Sequence, residues 1–315
     1  MAGQVKLFYT DHFELPLPLG HRFPMAKYRL LRDRIVGDPF HANDVLLIPN
    51  AATFEQLCLA HCSEYVERVI HGKLTEGEIK RIGFPWTLEM VERSRRSSGA
   101  TLAAASYALV EGIAVNMAGG THHAMREAGE GFCVFNDAAI ALLTLLDKGA
   151  IKRGVVIDCD VHQGNGTAQI LAGNLNTFTF SIHGAKNFPL RKFPSDLDID
   201  LPDGTDDENY IASLRLGLAD VLSNGPFDLA IYLAGADPFH GDRLGRLKLT
   251  KQGLASRDEM VLRTLRSQGI PIAIAMAGGY AHSIVDIVDI HAETIRIASY
   301  LQNTKCHPHL LPPIN

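Results

Sequence analysis

The sequence predicts an α/β fold, a parallel sheet with helices packed on both faces in three α/β/α layers. Three observations lead there. Strand-like and helical stretches alternate regularly from about residue 87 onward. The strand-like runs are apolar throughout, as strands covered on both faces must be. No internal repeat, low-complexity tract or long linker divides the 315 residues, so residues 1–315 are expected to form a single domain.

Each element has its own signal. Val5 to Tyr9 reads as a short strand, followed by a Pro-rich loop and a helix beginning near Pro24. Thr87 is an N-cap for a helical stretch running towards Gly112. Ile113 to Met117 is a strand that ends in Ala118-Gly119-Gly120. Asn136 opens a helix over Ala138 to Asp147, which stops at Gly149. Gly154 to Asp158, rich in β-branched residues, is a buried strand, and Thr177 to Ile182 is the next. Asp206 caps a helix ending near Asn224-Gly225, and Asp228 to Leu233 is a strand. Thr250 to Gln268 is helical and closes at Gly269. Pro271 to Ala277 is the last strand, and a final helix runs from about Ala281 to Leu301.

Composition excludes several classes. Hydrophobic residues make up 46% and charged residues 21%, as in an ordinary soluble protein rather than a disordered one. The formal net charge of −5 gives no global field for nucleic acid or an acidic membrane. The longest apolar runs, such as Ile270 to Ala277, are too short to span a bilayer. The first residues lack a signal peptide's basic head and apolar stretch, so a cytoplasmic location is expected. Five cysteines at scattered positions argue against a disulfide framework. Cys58 and Cys62 lack a second Cys/His pair for a zinc knuckle and are expected to be buried thiols. His307 and His309, in a Pro-rich tail with Cys306, read as exposed terminus.

In an open parallel sheet the ligand crevice lies beyond the carboxyl ends of the strands. Four strands here end in small residues followed by polar ones. The endings are Gly-Gly-Thr121-His122-His123, Asp158-Cys-Asp160-Val-His162-Gln-Gly-Asn165, Ala-Gly-Ala-Asp237-Pro and Ala-Gly-Gly-Tyr280. In extended chain, alternate residues share a face, so Asp158, Asp160 and His162 point the same way. Two carboxylates beside an imidazole favour a cation among them. Asp160, His162 and Asp237 make a three-residue set with a fourth position open to water, the pattern of catalytic zinc. Asp158 and Asn165 are candidate partners for the outer ring nitrogens of His122 and His123, where such partners set tautomer and basicity. Gly164-Asn-Gly166 lacks the third glycine of a dinucleotide fingerprint, and no phosphate-binding Gly-x-x-x-x-Gly-Lys-Ser/Thr loop occurs.

These blocks resemble the histone deacetylase family, within the arginase–deacetylase fold. The matching stretches are Ala118–Ala124, Gly131–Asp137, Asp158–Gly166, Ala234–Pro238 and Ala277–Tyr280, in the family's order. Gly241–Thr250, with Gln163 and Asn165, is most similar to class IV histone deacetylases and bacterial histone deacetylase-like amidohydrolases. The resemblance implies a parallel sheet of about eight strands, one Zn2+ per chain on Asp160, His162 and Asp237, and tandem histidines His122 and His123 partnered by Asp158 and Asn165. It implies that Tyr280 binds the substrate carbonyl, that the Gly131 carbonyl accepts the amide N–H, and that Phe132 and Phe188 form opposite walls of an acyl-lysine tunnel. It also implies a structural K+ or Na+ near Asp158, Asp160, His162 and Ser181. The expected substrate is an acylated lysine, acetyl-lysine first, in a protein or peptide; oligomeric state is left open.

Two departures bear on substrate and metal number. The family's better-known members carry a rim Asp that grips the substrate backbone. Ile82-Gly-Phe-Pro-Trp86 has none, which raises acylated polyamines or other small amines as the alternative substrate. An acidic gate would favour that alternative, with Asp206, Asp207 and Glu208 as candidates. The related arginases carry Asp-x-His-x-Asp for two manganese ions, but the last position here is Gly164. A zinc-retaining module that binds acyl groups without hydrolysis is disfavoured because every catalytic position is filled. In the expected mechanism His123 is general base and then acid, while His122, held by Asp158, supplies charge and orientation.

Overall fold

The computed structural model describes residues 4–304, so Cys306, His307 and His309 lie outside the described residues. The sheet comprises β1 (Lys6–Phe8), β2 (Val45–Leu47), β3 (Ile113–Asn116), β4 (Gly154–Asp158), β5 (Thr177–Gly184), β6 (Leu197–Leu201), β7 (Leu229–Leu233) and β8 (Ile272–Ala275). Its spatial order is β2-β1-β3-β8-β7-β4-β5-β6. Every neighbouring pair is parallel. The expected α/β architecture and the eight strands are both present.

Side-chain alternation divides the apolar strands between two cores. Ala230, Tyr232, Ile272 and Ile274 face one side, and Leu229, Ile231, Leu233 and Ala273 the other. The first core is covered by α1 (Lys27–Gly37), α8 (Asp207–Ser223), α9 (Lys251–Ser267) and α10 (Ile284–Asn303). The second is covered by α2 (Phe54–Ala60), α3 (Ser63–Ile70), α5 (Leu88–Glu111) and α6 (Asp137–Asp147). Two shorter helices, α4 (Glu76–Ile82) and α7 (Asn165–Leu171), lie beside the loops that follow.

The caps read from the sequence are used. Thr87, Asn136, Asp206 and Thr250 each accept a backbone N–H of the first helical turn. Several elements were not legible. The two edge strands β2 and β6 are short and half-covered, so neither has the wholly apolar pattern of the central strands. The helices over 54–82 are only seven or eight residues long, too short for a clear periodic signal. The final helix starts at Ile284 rather than near Ala281. Cys58 and Cys62 are free thiols but half-buried, not buried as expected. No helix of the described residues is long and apolar enough to cross a membrane.

His61 ties two site loops to this scaffold. Its Nδ1 donates to the Met125 carbonyl at 2.9 Å, and its Nε2 accepts the Asn136 N–H at 2.9 Å. Both ring nitrogens are satisfied only in the neutral form, and burial lowers the pKa to about 4. The unfolded chain therefore binds one more proton than the folded chain between about pH 6.5 and pH 4. This contribution is complete above the unfolded pKa and is lost as pH falls through that window. The unfolding free energy should drop by about 3 kcal/mol across the window on account of His61. Urea unfolding at several pH values should show a steeper slope for the native chain than for His61→Gln; equal slopes would remove the assignment.

Candidate active site

The sheet order explains why distant motifs meet. Strands β3, β8, β7 and β4 are consecutive neighbours, and each of the four polar endings follows one of them. At their carboxyl edge lies a cavity of about 600 Å³ lined by His122, His123, Asp160, His162, Asp237 and Tyr280.

At its floor the potential ligand atoms of Asp160, His162 and Asp237 lie within 4.8 Å of one another, all on buried residues. His162 Nδ1 is 3.0 Å from Asp160 Oδ1 and 3.3 Å from Asp237 Oδ2. The spare carboxylate oxygens are held by backbone: Val161 N–H donates to Asp237 Oδ1 at 2.9 Å, and Gly278 N–H to Asp160 Oδ2 at 2.8 Å. Asp237 Oδ2 makes no hydrogen bond although it is buried. A buried carboxylate oxygen without a donor is costly unless a cation takes it. The electrostatics agree. Burial opposes a charged His162, but the hydrogen bond it donates to Asp160 and the negative charges of Asp160 and Asp237 raise its pKa to about 10. Burial and the neighbouring Asp160 charge raise Asp237. The cluster thus calls for positive charge, and its two carboxylate donors and one imidazole suit zinc. Space is reserved too: a Cβ on Gly278 would stand 2.1 Å from Asp237 Oδ2.

The tandem histidines are differentiated by their partners. His122 Nδ1 donates to Asp158 Oδ2 at 2.6 Å, and His123 Nδ1 donates to Asn165 Oδ1 at 2.7 Å. Burial disfavours charge on His122, but Asp158 and Asp160 outweigh it and raise the pKa to about 9. His123 has only a neutral amide; burial, then the charges of His122 and His162, hold it well below the usual histidine value. The two surroundings thus push the rings in opposite directions, His122 towards the cationic form and His123 towards the neutral form, whose Nε2 is free to accept a proton.

Tyr280 is buried, which holds its hydroxyl well above pKa 10 and so as a neutral donor. Its N–H donates to Asp242 Oδ2 at 2.6 Å, and its carbonyl accepts from Arg243 Nε at 2.8 Å. Phe132 stacks at 5.9 Å from the Tyr280 ring, and Phe188 stands edge-on to His123 at 4.8 Å. Phe132 has φ 66° and Gly131 φ 56°, a left-handed turn that brings the backbone up to His123. A Cβ on Gly131 would sit 2.8 Å from His123 Cδ2.

Ser181 is the register partner of Asp158, beside the metal loop, and its Oγ pairs with His183 Nδ1 at 2.9 Å. Cys159 faces the core, as its alternation predicts. Asp206, Asp207 and Glu208 form no gate: Asp206 caps α8, Asp207 accepts the Thr250 N–H and hydroxyl, and none lines the cavity. The Gly164 position has no room for an arginase-type ligand, because a Cβ there would be 2.4 Å from Asp158 Oδ2.

Several supporting residues were not singled out from sequence. Arg257 is fully buried, and its Nη1 donates to the carbonyls of Cys159 at 3.2 Å and Gly235 at 2.5 Å. It thereby joins the two loops that carry the metal-type ligands. Asp258 balances its charge and accepts the hydroxyls of Tyr232 and Thr294. Asp137 accepts the N–H groups of Gly120 and Thr121, fixing the loop before the histidines. Buried Lys27 lies over the Tyr280 ring at 5.6 Å. An Arg-Asp pair within an amphipathic helix carries no local mark of these contacts.

A family model described as Histone deacetylase domain matches residues 21–295. The chain belongs to the histone deacetylase family. This family member is 42% identical over 290 residues to an uncharacterized protein of Picosynechococcus, covering 92% of this chain and 97% of that one. It is 28% identical over 315 residues to Histone deacetylase 2 of Arabidopsis thaliana, covering 95% and 81%. A solved histone deacetylase homologue from Aquifex aeolicus superposes with a TM-score of 0.80 at 22% identity, covering 94% and 84%. The fold is therefore the arginase–deacetylase fold, and the family activity is that of a deacetylase, an amide hydrolase.

Asp237→Ala should abolish zinc retention while leaving the secondary structure in place. Elemental analysis of the dialysed variant checks this, and full zinc occupancy would remove Asp237 from the ligand set.

Proposed function

We propose that this deacetylase uses one zinc ion, held by Asp160, His162 and Asp237, to hydrolyse the acyl amide of a lysine side chain, with acetyl as the first acyl group to test. The observation that supports this most is the unlike partnering of the histidine pair: His123 on the Asn165 amide beside His122 on the Asp158 carboxylate, over one carboxylate-rich cluster.

Zinc bound there would act as a Lewis acid on the acyl carbonyl and on water. The side chains do the rest. His123 Nε2 takes the proton from the attacking water and returns it to the leaving amine. His122 stays charged beside Asp158 and steadies the negative charge that develops. The Tyr280 hydroxyl donates to the oxyanion, and its fixed backbone keeps the donor aimed before reaction. The Gly131 carbonyl accepts the substrate amide N–H, and Phe132 and Phe188 flank the aliphatic arm. Asp158 and Asn165 set the two tautomers without touching substrate.

The same reading includes a structural K+ or Na+ near Asp158, Asp160, His162 and Ser181, supported by the adjacency of β4 and β5. It assigns the chain to the class IV branch. Gln163 supports that assignment: its amide bridges the metal loop to Phe193 N and O at 3.0 and 2.8 Å, steadying the segment behind Phe188. The location we infer is the cytoplasm.

Tyr280→Phe should retain zinc yet lose about 10²–10³ in turnover on an acetyl-lysine reporter, the usual cost of one oxyanion donor. Near-native turnover with zinc bound would take Tyr280 out of the chemistry.

A further inference from the structure

The cavity mouth is lined by five cations, Arg22, Lys80, Arg81, Lys186 and Arg246, against a single acidic side chain, Glu130. This is a local inversion, because the chain as a whole carries a net charge of −5. The cations stand on two tethered walls. On one, His21 Nε2 donates to the Gly83 carbonyl at 2.9 Å, tying the Arg22 loop to the end of α4, which carries Lys80 and Arg81. On the other, Asn187 Nδ2 donates to the Leu244 carbonyl at 2.8 Å and its Oδ1 accepts from Arg246 N–H at 3.3 Å, tying the Lys186 and Arg246 loops together.

The charges are largely uncompensated. The side chains of Arg22, Lys80 and Arg81 form no ion pair or hydrogen bond among the described residues. Lys186 and Arg246 share one partner, Asp203, at 3.9 and 3.2 Å. Like charges gathered at one opening repel each other and gain when an anion enters between them. Apolar surface lies among them: Phe188 is 37% and Leu190 95% exposed.

We propose that this mouth selects acyl-lysines flanked by Asp and Glu in a polypeptide, and that it disfavours polycationic substrates such as basic tails and acylated polyamines. The proposal rests on the acyl-lysine reading above and names its substrate class. A polypeptide fits better than a nucleic acid because the mouth offers exposed Phe188 and Leu190 to neighbouring apolar side chains. Clustered cations at the rim act on encounter and on KM rather than on the chemical step.

The test uses the zinc-loaded chain and two acetyl-lysine peptides of equal length, one flanked by Asp/Glu and the other by Lys/Arg. At low ionic strength kcat/KM should favour the acidic peptide by about tenfold, as three exposed ion pairs would give. The ratio should shrink in high salt. Arg22→Glu/Lys80→Glu/Arg81→Glu should invert it, and Arg22→Gln/Lys80→Gln/Arg81→Gln should bring it towards one. Each ratio is internal to its own protein, so a general loss of activity does not affect it. Anisotropy of the same peptides, labelled, measures the preference without turnover. If neither peptide nor a neutral acetyl-lysine amide is hydrolysed, the acyl-lysine reading fails while binding still decides the charge preference. Equal or stronger binding of the basic peptide, or an unchanged ratio in the Glu variant, overturns the proposal. So does displacement of the acidic peptide by a single-stranded oligonucleotide at lower concentration than by unlabelled acidic peptide.

Discussion

Burying two carboxylates and an imidazole within 4.8 Å of one another sets the terms for the rest of this site. Such a group is unfavourable in a low-dielectric interior unless positive charge enters it. Among the described residues no lysine or arginine forms an ion pair with these carboxylates. The chain surrounds the carboxylates with backbone N–H groups instead and leaves Asp237 Oδ2 without a donor. Buried Arg257 points its guanidinium at loop carbonyls rather than carboxylate oxygens of the cluster. The carboxylate oxygens are thus fixed in position while their charge stays available to a cation.

That fixing depends on the sheet. Four loops converge because β3, β8, β7 and β4 are neighbours in space though not in sequence. Each loop is then held from behind: Asp137 by two N–H bonds to the histidine loop, Arg257 by two carbonyls of the metal loops, Asp242 by the Tyr280 N–H. Rigid support of this kind lets small differences in partner chemistry become differences in role. His122 and His123 are consecutive and equally buried. A carboxylate behind His122 pushes its pKa up, whereas His123, with only an amide behind it, is held down by burial and by the charges of His122 and His162.

What could be read from the sequence follows from where each signal is encoded. The central strands were legible because burial on both faces demands unbroken apolar runs. Their polar endings were legible because Asp158, Asp160 and His162 stand at alternate positions of one stretch that follows an apolar run. Thr87, Asn136, Asp206 and Thr250 were legible because a cap is local. The edge strands β2 and β6 were not, since half-covered short strands have no distinctive pattern. Arg257, Asp242 and His61 were missed for a different reason. Their partners are 98, 38 and 75 residues away, so their roles exist only after folding. The cationic mouth was missed in the same way: its five side chains come from four separated stretches that look like ordinary solvated charge in sequence. The acidic gate suggested by Asp206–Glu208 failed because local charge density said nothing about which end of the sheet it would face.

The site therefore presents opposite polarity at its two ends. The floor is carboxylate-rich and suited to a divalent cation, the mouth is cationic, and between them Phe132 and Phe188 provide apolar walls. A cationic mouth would repel a free lysine ammonium, while an acylated lysine is neutral and passes. The same field that favours acidic flanking residues thus also discriminates against the deacylated product. On the acyl-lysine reading proposed above, the ammonium product would leave through a region that does not stabilise it, and its rebinding would be opposed by the charges that assist binding of substrate. Electrostatics at the rim, far from the bond being cleaved, then acts on the direction of traffic as well as on the choice of sequence.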